Sequence, residues 1–209
     1  MDNIYKTRIE KYLNNNNLEI IVLRTLEEKE YIATLPEEYL DNLCDRNSDG
    51  LTDIIRMIAT DEDEADTLYI FIIRNKQSYN ILSILCCKLH EIELQVFIDV
   101  GCSRSDNKVK YLSYIIRIYI FLYFTIEQDI HIENIYGNMT GNVVKLTEYH
   151  VSRNCTVHDK GYMCLRDDYF TKFRTWFDIV YKRNKKKMKI SIENKRNKMK
   201  NKKLKSKKK

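Results

Sequence analysis

The sequence has little of what punctuates a chain: one proline and five glycines in 209 residues. Asn, Lys, Ile and Tyr are abundant instead, and four asparagines run together from Asn14 to Asn17. AT-rich coding drift produces this bias, so bulk composition argues for little. Specific absences argue for more. There is no G-x-x-x-x-G-K loop and no nucleophile elbow, which argues against an NTPase and a serine hydrolase. None of the six cysteines, Cys44, Cys86, Cys87, Cys102, Cys155 and Cys164, forms a C-x-x-C pair. Adjacent Cys86 and Cys87 lie in an apolar strand pattern and point to opposite faces, which suits small buried hydrophobes better than metal ligands. His90, His131, His150 and His158 have no i, i+4 pair and no cysteine at metal-ligand spacing, so structural or surface histidines are expected and no metal site. No secretory signal is present, and the expectation is an intracellular protein, cytoplasmic or nuclear, with reduced thiols. The sequons at Asn138 and Asn154 are then chance matches. The one membrane candidate, Tyr111 to Ile126, is short, rich in Tyr and interrupted by Arg117, which predicts a buried helix and no membrane span. No internal repeat is present.

Charge is distributed unevenly. From Lys182 to Lys209 there are 16 of the 36 Lys and Arg and one of the 30 acids, Glu193, a net +15 against −9 for the preceding residues. A mildly acidic domain over residues 1–181 is therefore expected to carry a disordered polybasic tail, residues 182–209. Such a tail binds nucleic acid, anionic membranes or import receptors, or is solvated with no specific partner.

The pattern of the body predicts a helix from Ile4 to Leu13 and a strand from Leu18 to Arg24. Helices follow at Pro36 to Cys44 and Leu51 to Ala59, the first opened by a proline where the first turn tolerates one. After the acidic run Asp61 to Asp66 come three strands, Thr67 to Ile73, Asn80 to Leu89 and Ile92 to Val100, expected as an antiparallel meander. A helix from Lys110 to Gln128 leads to a strand at Ile130 to Tyr136, expected parallel to the strand ending at Val100 because such a unit crosses over right-handed. A helix from Thr140 to His150, extended stretches at Ser152 to His158 and Tyr162 to Arg166, and an amphipathic segment from Tyr169 to Tyr181 complete the body.

Strand, basic loop, long apolar helix and strand leave backbone N–H groups pointing at one spot after Val100, a place suited to a diphosphate. Seven residues separate Asn142 from Tyr149, close to two helical turns, so both lie on one helix face. The element order resembles the GNAT superfamily of N-acyltransferases over about Leu18 to Arg166: an α+β fold with a mixed, mainly antiparallel sheet flanked by helices. In that family the loop after the fourth strand wraps the pyrophosphate of coenzyme A. Its pattern places Gln or Arg, two residues, Gly, one residue, and Gly or Ala. Here Arg104, Asn107 and Val109 occupy those positions. Asn107 tolerates a left-handed backbone, whereas Val109 crowds the phosphates and Asp106 opposes their charge, which Lys108 and Lys110 offset. The resemblance implies acetyl-CoA or another acyl-CoA, held by Val100, Arg104, Ser105, Asn107, Lys108, Val109 and Asn142. It makes Tyr149 the acid that protonates the leaving thiolate, although the family's Gly-Phe ending is replaced by His150-Val151-Ser152. The base lies on the fourth or fifth strand, with Glu93, Asp99 and Glu133 as candidates. The acceptor implied is an amine or a Lys-bearing peptide, which the acidic run suits. An inactive GNAT-like module that binds nucleic acid or a protein through its tail is the alternative.

One rival site competes for Asp45 to Asp53. Asp45, Asn47, Asp49, Gly50 and Asp53 match five positions of an EF-hand loop, but Arg56 stands at the twelfth, where the bidentate Glu should bind calcium. A polar turn between helices explains the same residues, and no tight calcium binding is expected.

Overall fold

Local capping and alternating apolar residues account for most of the elements in the computed structural model, which describes residues 2–44, 51–104, 109, 111–139, 143–175 and 177–179. The chain begins with α1 (Asp2–Asn15), which ends in the asparagine run, where Asn17 takes a left-handed φ of 58° that a short amide tolerates. Strand β1 (Leu18–Leu23) follows. The helix α2 (Leu26–Ala33) was not anticipated from periodicity. It is fixed by a capping box: the Thr25 hydroxyl accepts from the Glu28 N–H at 3.2 Å, and the Glu28 carboxylate accepts from the Thr25 N–H at 3.1 Å. Helices α3 (Glu37–Cys44) and α4 (Leu51–Thr60) come next. Three helices therefore separate β1 from the next strand, where two were expected. The polar turn of residues 45–50, and with it most of the EF-hand pattern, lies outside the described residues. Arg56 hydrogen-bonds the Leu35 carbonyl at 3.3 Å and approaches Glu37 at 3.8 Å.

Strands β2 (Leu68–Asn75), β3 (Ile81–His90) and β4 (Gln95–Ser103) form the expected antiparallel meander, with β1 outside β2. Helix α5 (Leu112–Glu127) then crosses over to β5 (Asn134–Asn138), which pairs parallel with β4 as expected. Helix α6 (Val143–Val151) precedes the β6 (Thr156–His158) and β7 (Gly161–Leu165) hairpin, and the sheet runs β1-β2-β3-β4-β5-β7-β6. A seventh helix, α7, begins at residue 166 and runs to 175. Among the described residues the fold is thus a mixed, mainly antiparallel seven-stranded sheet with helices on both faces.

One face is covered by α2 to α4, whose Ile32, Leu40, Leu43, Ile55 and Ile58 form one apolar cluster with Ile70, Ile72, Cys86, Val100 and Cys102 of the sheet. On the other face Phe124 of α5 meets Tyr69 edge-on at 4.9 Å, and Tyr123 meets Phe71 at 5.4 Å. Burying one such ring contributes about 1.5–3 kcal/mol, so α5 is a core helix. No described helix is long and apolar enough to cross a membrane.

The chain divides into two compact units, Met1–Phe170 and Thr171–Lys209. All seven strands lie in the first. Within the second, the Phe173 and Phe177 rings stack at 5.1 Å. Residues 182–209, the expected tail, lie outside the described residues.

Candidate active site

The sheet comes apart between β4 and β5. Their parallel pairing runs from Gln95↔Asn134 to Ile98↔Gly137 and stops, while β4 continues through Asp99 to Ser103 and β5 stays on β7. Close contact holds the last pair together. A Cβ on Gly137 would stand 2.7 Å from the Ile98 carbonyl oxygen and 3.0 Å from the Tyr162 hydroxyl, so only glycine fits there without a shift.

Asp99 is the first residue past that pair, and it sits on a bulge. On β3, Cys86 pairs with Val100 and Cys87 with Ile98, which leaves Asp99 without an opposite residue. The extra residue changes the face presented. Ile98 shares the Tyr69 and Cys87 side of the sheet, under α5, whereas Val100 and Cys102 point into the cluster with α2 to α4. Asp99 is partly buried, its Oδ2 has no hydrogen-bond partner, and burial lifts its carboxyl to about 6 against partial relief by Lys88. Glu64, ion-paired with Lys88, opposes that relief, and His90 adds to it. Tyr136 lies nearby, 5.0 Å from the Phe97 ring and 6.1 Å from His90.

The other candidate bases fall elsewhere. Glu93 was expected to alternate with Asp99 on one strand face, but it lies on the exposed turn 91–94, before β4 begins at Gln95. Glu133 is exposed and precedes β5.

Arg117 of α5 reaches toward the split from the helix side. Its Nη1 donates to the Tyr162 hydroxyl at 2.7 Å, and its Nη2 lies 3.1 Å from where a Cβ on Gly101 would stand. One guanidinium therefore touches β4 beyond the split and β7 beside β5. Arg117 read from the sequence only as an interruption in an apolar run; a lone cation in a buried helix that needs a partner was the available signal.

Tyr149 belongs to the same cluster. Its ring is covered by the Arg153 guanidinium at 3.6 Å, and Arg153 also lies 4.5 Å above the Tyr114 ring of α5. The Tyr149 and Tyr169 hydroxyls are buried side by side, each the other's polar neighbour; burial first, then Tyr149, pushes the Tyr169 phenol up. His150, one residue on, meets the Tyr149 ring edge-on at 5.0 Å and stacks on Tyr162 at 3.7 Å. Burial, then the charges of Arg117 and Arg153, push it down to about 3, so the ring is neutral.

Of the proposed phosphate loop, Arg104 ends the β3 pairing, its N–H donating to the Leu82 carbonyl at 3.0 Å, and Val109 is half-buried. Val100 is buried with the α2 to α4 cluster. Ser105, Asp106, Asn107, Lys108, Lys110 and Asn142 lie outside the described residues. Helix α5 opens at Tyr111 in a left-handed conformation, φ 68°, and the Tyr111 side chain itself makes no cap hydrogen bond.

On the α2 to α4 side, buried Lys29 donates to the Ala65 carbonyl at 2.8 Å and ties the acidic run to α2. A groove of about 540 Å³ between α2 and α4 carries Glu27, Glu30 and Glu62 over a floor of Leu26, Ala33 and Ala59.

No family model matches the sequence, and no curated protein does. Solved structures do match. One, from Desulfovibrio desulfuricans and described as a candidate acetyltransferase of the GNAT family, superposes with a TM-score of 0.54 at 4% identity, covering 71% of this chain and 99% of that one. Apo FdhC, a nucleotide-linked sugar GNAT, superposes with a TM-score of 0.51 at 16% identity, covering 77% and 93%. The chain has the GNAT fold. In GNAT terms β4 and β5 are the fourth and fifth strands, α5 the helix between them, and α6 the helix after β5, which carries Tyr149. The cysteines depart from expectation: Cys155 and Cys164 are joined in a disulfide, where reduced thiols were expected. They are cross-strand neighbours, one step beyond the Thr156↔Met163 pair, with Cα atoms 4.2 Å apart.

Proposed function

We propose that this chain is an N-acyltransferase that moves an acyl group, acetyl first, from coenzyme A to an amine by direct attack. The observation that carries the reading is the β4–β5 split, with Asp99 at its edge, its Oδ2 buried without a hydrogen-bond partner and its carboxyl raised by burial. The residues suit the donor: past Ile98 the β4 backbone runs on without β5, and the Tyr149 hydroxyl is buried with only the Tyr169 phenol beside it. Acyl-coenzyme A supplies an activated thioester. Asp99 accepts the proton of the attacking amine, because a carboxyl near 6 is both ionised and basic at neutral pH. Tyr149 gives a proton to the departing sulfur, and Arg117 supports the phenol's neighbourhood with fixed positive charge. Asp99 is favoured over Glu93 and Glu133 because those two stand exposed outside the split.

A cationic acceptor, a polyamine-like amine or a Lys-bearing peptide, suits the acidic run and the groove with Glu27, Glu30 and Glu62. Residues 182–209 are proposed as a separate polyanion-binding tail, with nucleic acid the first candidate, in an intracellular setting.

Turnover of acetyl-CoA against a panel of amines tests the reading. Tyr149→Phe keeps the ring and removes the proton, so kcat should fall on the order of 100-fold while coenzyme A affinity persists. An unchanged kcat would remove Tyr149 from the chemistry. Binding without turnover across the panel would favour the inactive-module alternative.

A further inference from the structure

We propose that the reduced chain holds a thiophilic metal ion, Zn²⁺ by preference, between His150, Cys155 and Cys164. The sequence gives no metal-ligand spacing, yet the fold brings these three together from the end of α6 and the β6–β7 hairpin. Their ligand atoms all lie within 4.8 Å of one another, and the His150 Nδ1 is 4.0 Å from the Cys164 Sγ. All three are buried, at 2%, 6% and 2% exposure, so water does not compete freely for the site. Zn–S bonds near 2.3 Å and a Zn–N bond near 2.0 Å in a tetrahedron set ligand atoms about 3.6–3.8 Å apart. The His150 to Cys164 distance already approximates this, and the two sulfurs need only part from one another. Two thiolates and an imidazole are the donor set that selects zinc over hard cations, with water able to complete the fourth position. The His150 ring is also oriented for the task, clamped against Tyr162, whose hydroxyl is fixed by Arg117.

The disulfide and the metal site are then two states of one cluster. Reduction adds two electrons and two protons across the S–S bond, and metal binding releases those protons as thiolates form. The disulfide joins the two ends of the hairpin, whereas the metal would also fasten His150, the residue after Tyr149, to it. The proposal is independent of the acyl-transfer reading.

The test uses the full chain, reduced with a phosphine that is itself oxidised to its oxide, then desalted without air and titrated with Co²⁺. One equivalent should give intense thiolate-to-cobalt charge-transfer absorption, displaced by Zn²⁺, and Zn²⁺ should raise the Tm of the reduced chain. The air-oxidised chain should show neither effect, which controls for a variant that fails to fold. Cys155→Ser should abolish the band, and His150→Gln should weaken affinity at least tenfold. No charge-transfer band in the reduced chain, or an undiminished one in Cys155→Ser, would overturn the proposal. A reduced chain that stays unfolded with Zn²⁺ present would overturn it too, because the disulfide would then be indispensable.

Discussion

Asp99 shows what one residue can and cannot reveal. An acid in an apolar strand was visible as a candidate base, but so was Glu93, because alternation alone puts both on one face. The bulge opposite Cys86 and Cys87 and the late start of β4 at Gln95 separate them, and neither is written in a single strand's pattern. If Asp99 is the base, kcat/KM should rise about tenfold per pH unit below about 6 and level off above it, and Asp99→Asn should remove the rise. A pH-rate profile unchanged by the substitution would assign the base elsewhere. Stability should respond with the opposite preference. The folded carboxyl holds its proton up to about 6, against 3.8 ordinarily, so Asp99 costs stability as pH rises through that window. Asp99→Asn should therefore stabilise the fold at pH 8 and not at pH 3.5, by about 1 kcal/mol after allowance for partial exposure, read from denaturation at the two pH values. Tyr149 was singled out by its seven-residue spacing from Asn142; Arg153, only four residues on, was not read as its cover, and its neighbour Tyr169 comes from a distant position.

Elements were easier to read than contacts. The meander β2 to β4, the buried α5 and the parallel return to β5 follow from strand-length apolar runs, a long apolar helix and the handedness of crossovers. Helix α2 was missed because its apolar periodicity is weak, although Thr25-x-x-Glu28 spells a capping box. The disulfide and the His150 cluster depend on hairpin register, which the weak extended stretches around Cys155 and Cys164 did not fix. Register also decides what Gly137 does. Gly137→Ala should destabilise the fold by about 2 kcal/mol, because the new methyl meets backbone at Ile98 and a hydroxyl tied to Arg117. Chemical denaturation measures this. A neutral result would mean that β4 and β5 are less tightly joined at the start of the split than the 2.7 Å approach indicates.

At the scale of the whole molecule, the sequence divides by charge: −9 over residues 1–181 and +15 over residues 182–209. The second segment is too polar to add a core, so a chain ending at Tyr181 should melt within a degree or two of the full one; a large loss would move the boundary. If the full chain binds nucleic acid, affinity should fall steeply with salt and vanish on truncation, as counterion release requires. The GNAT fold itself implies no activity, and Asp106 and Val109 depart from the family's loop pattern. The most direct measurement is therefore equilibrium binding of acetyl-CoA to the full chain by calorimetry, with the Tm followed in parallel. The account predicts saturable binding, a Tm that climbs with ligand by mass action, and weaker binding in Asn107→Asp, where a negative charge is added beside the phosphates. A folded chain that binds no acetyl-CoA at millimolar concentration would contradict it.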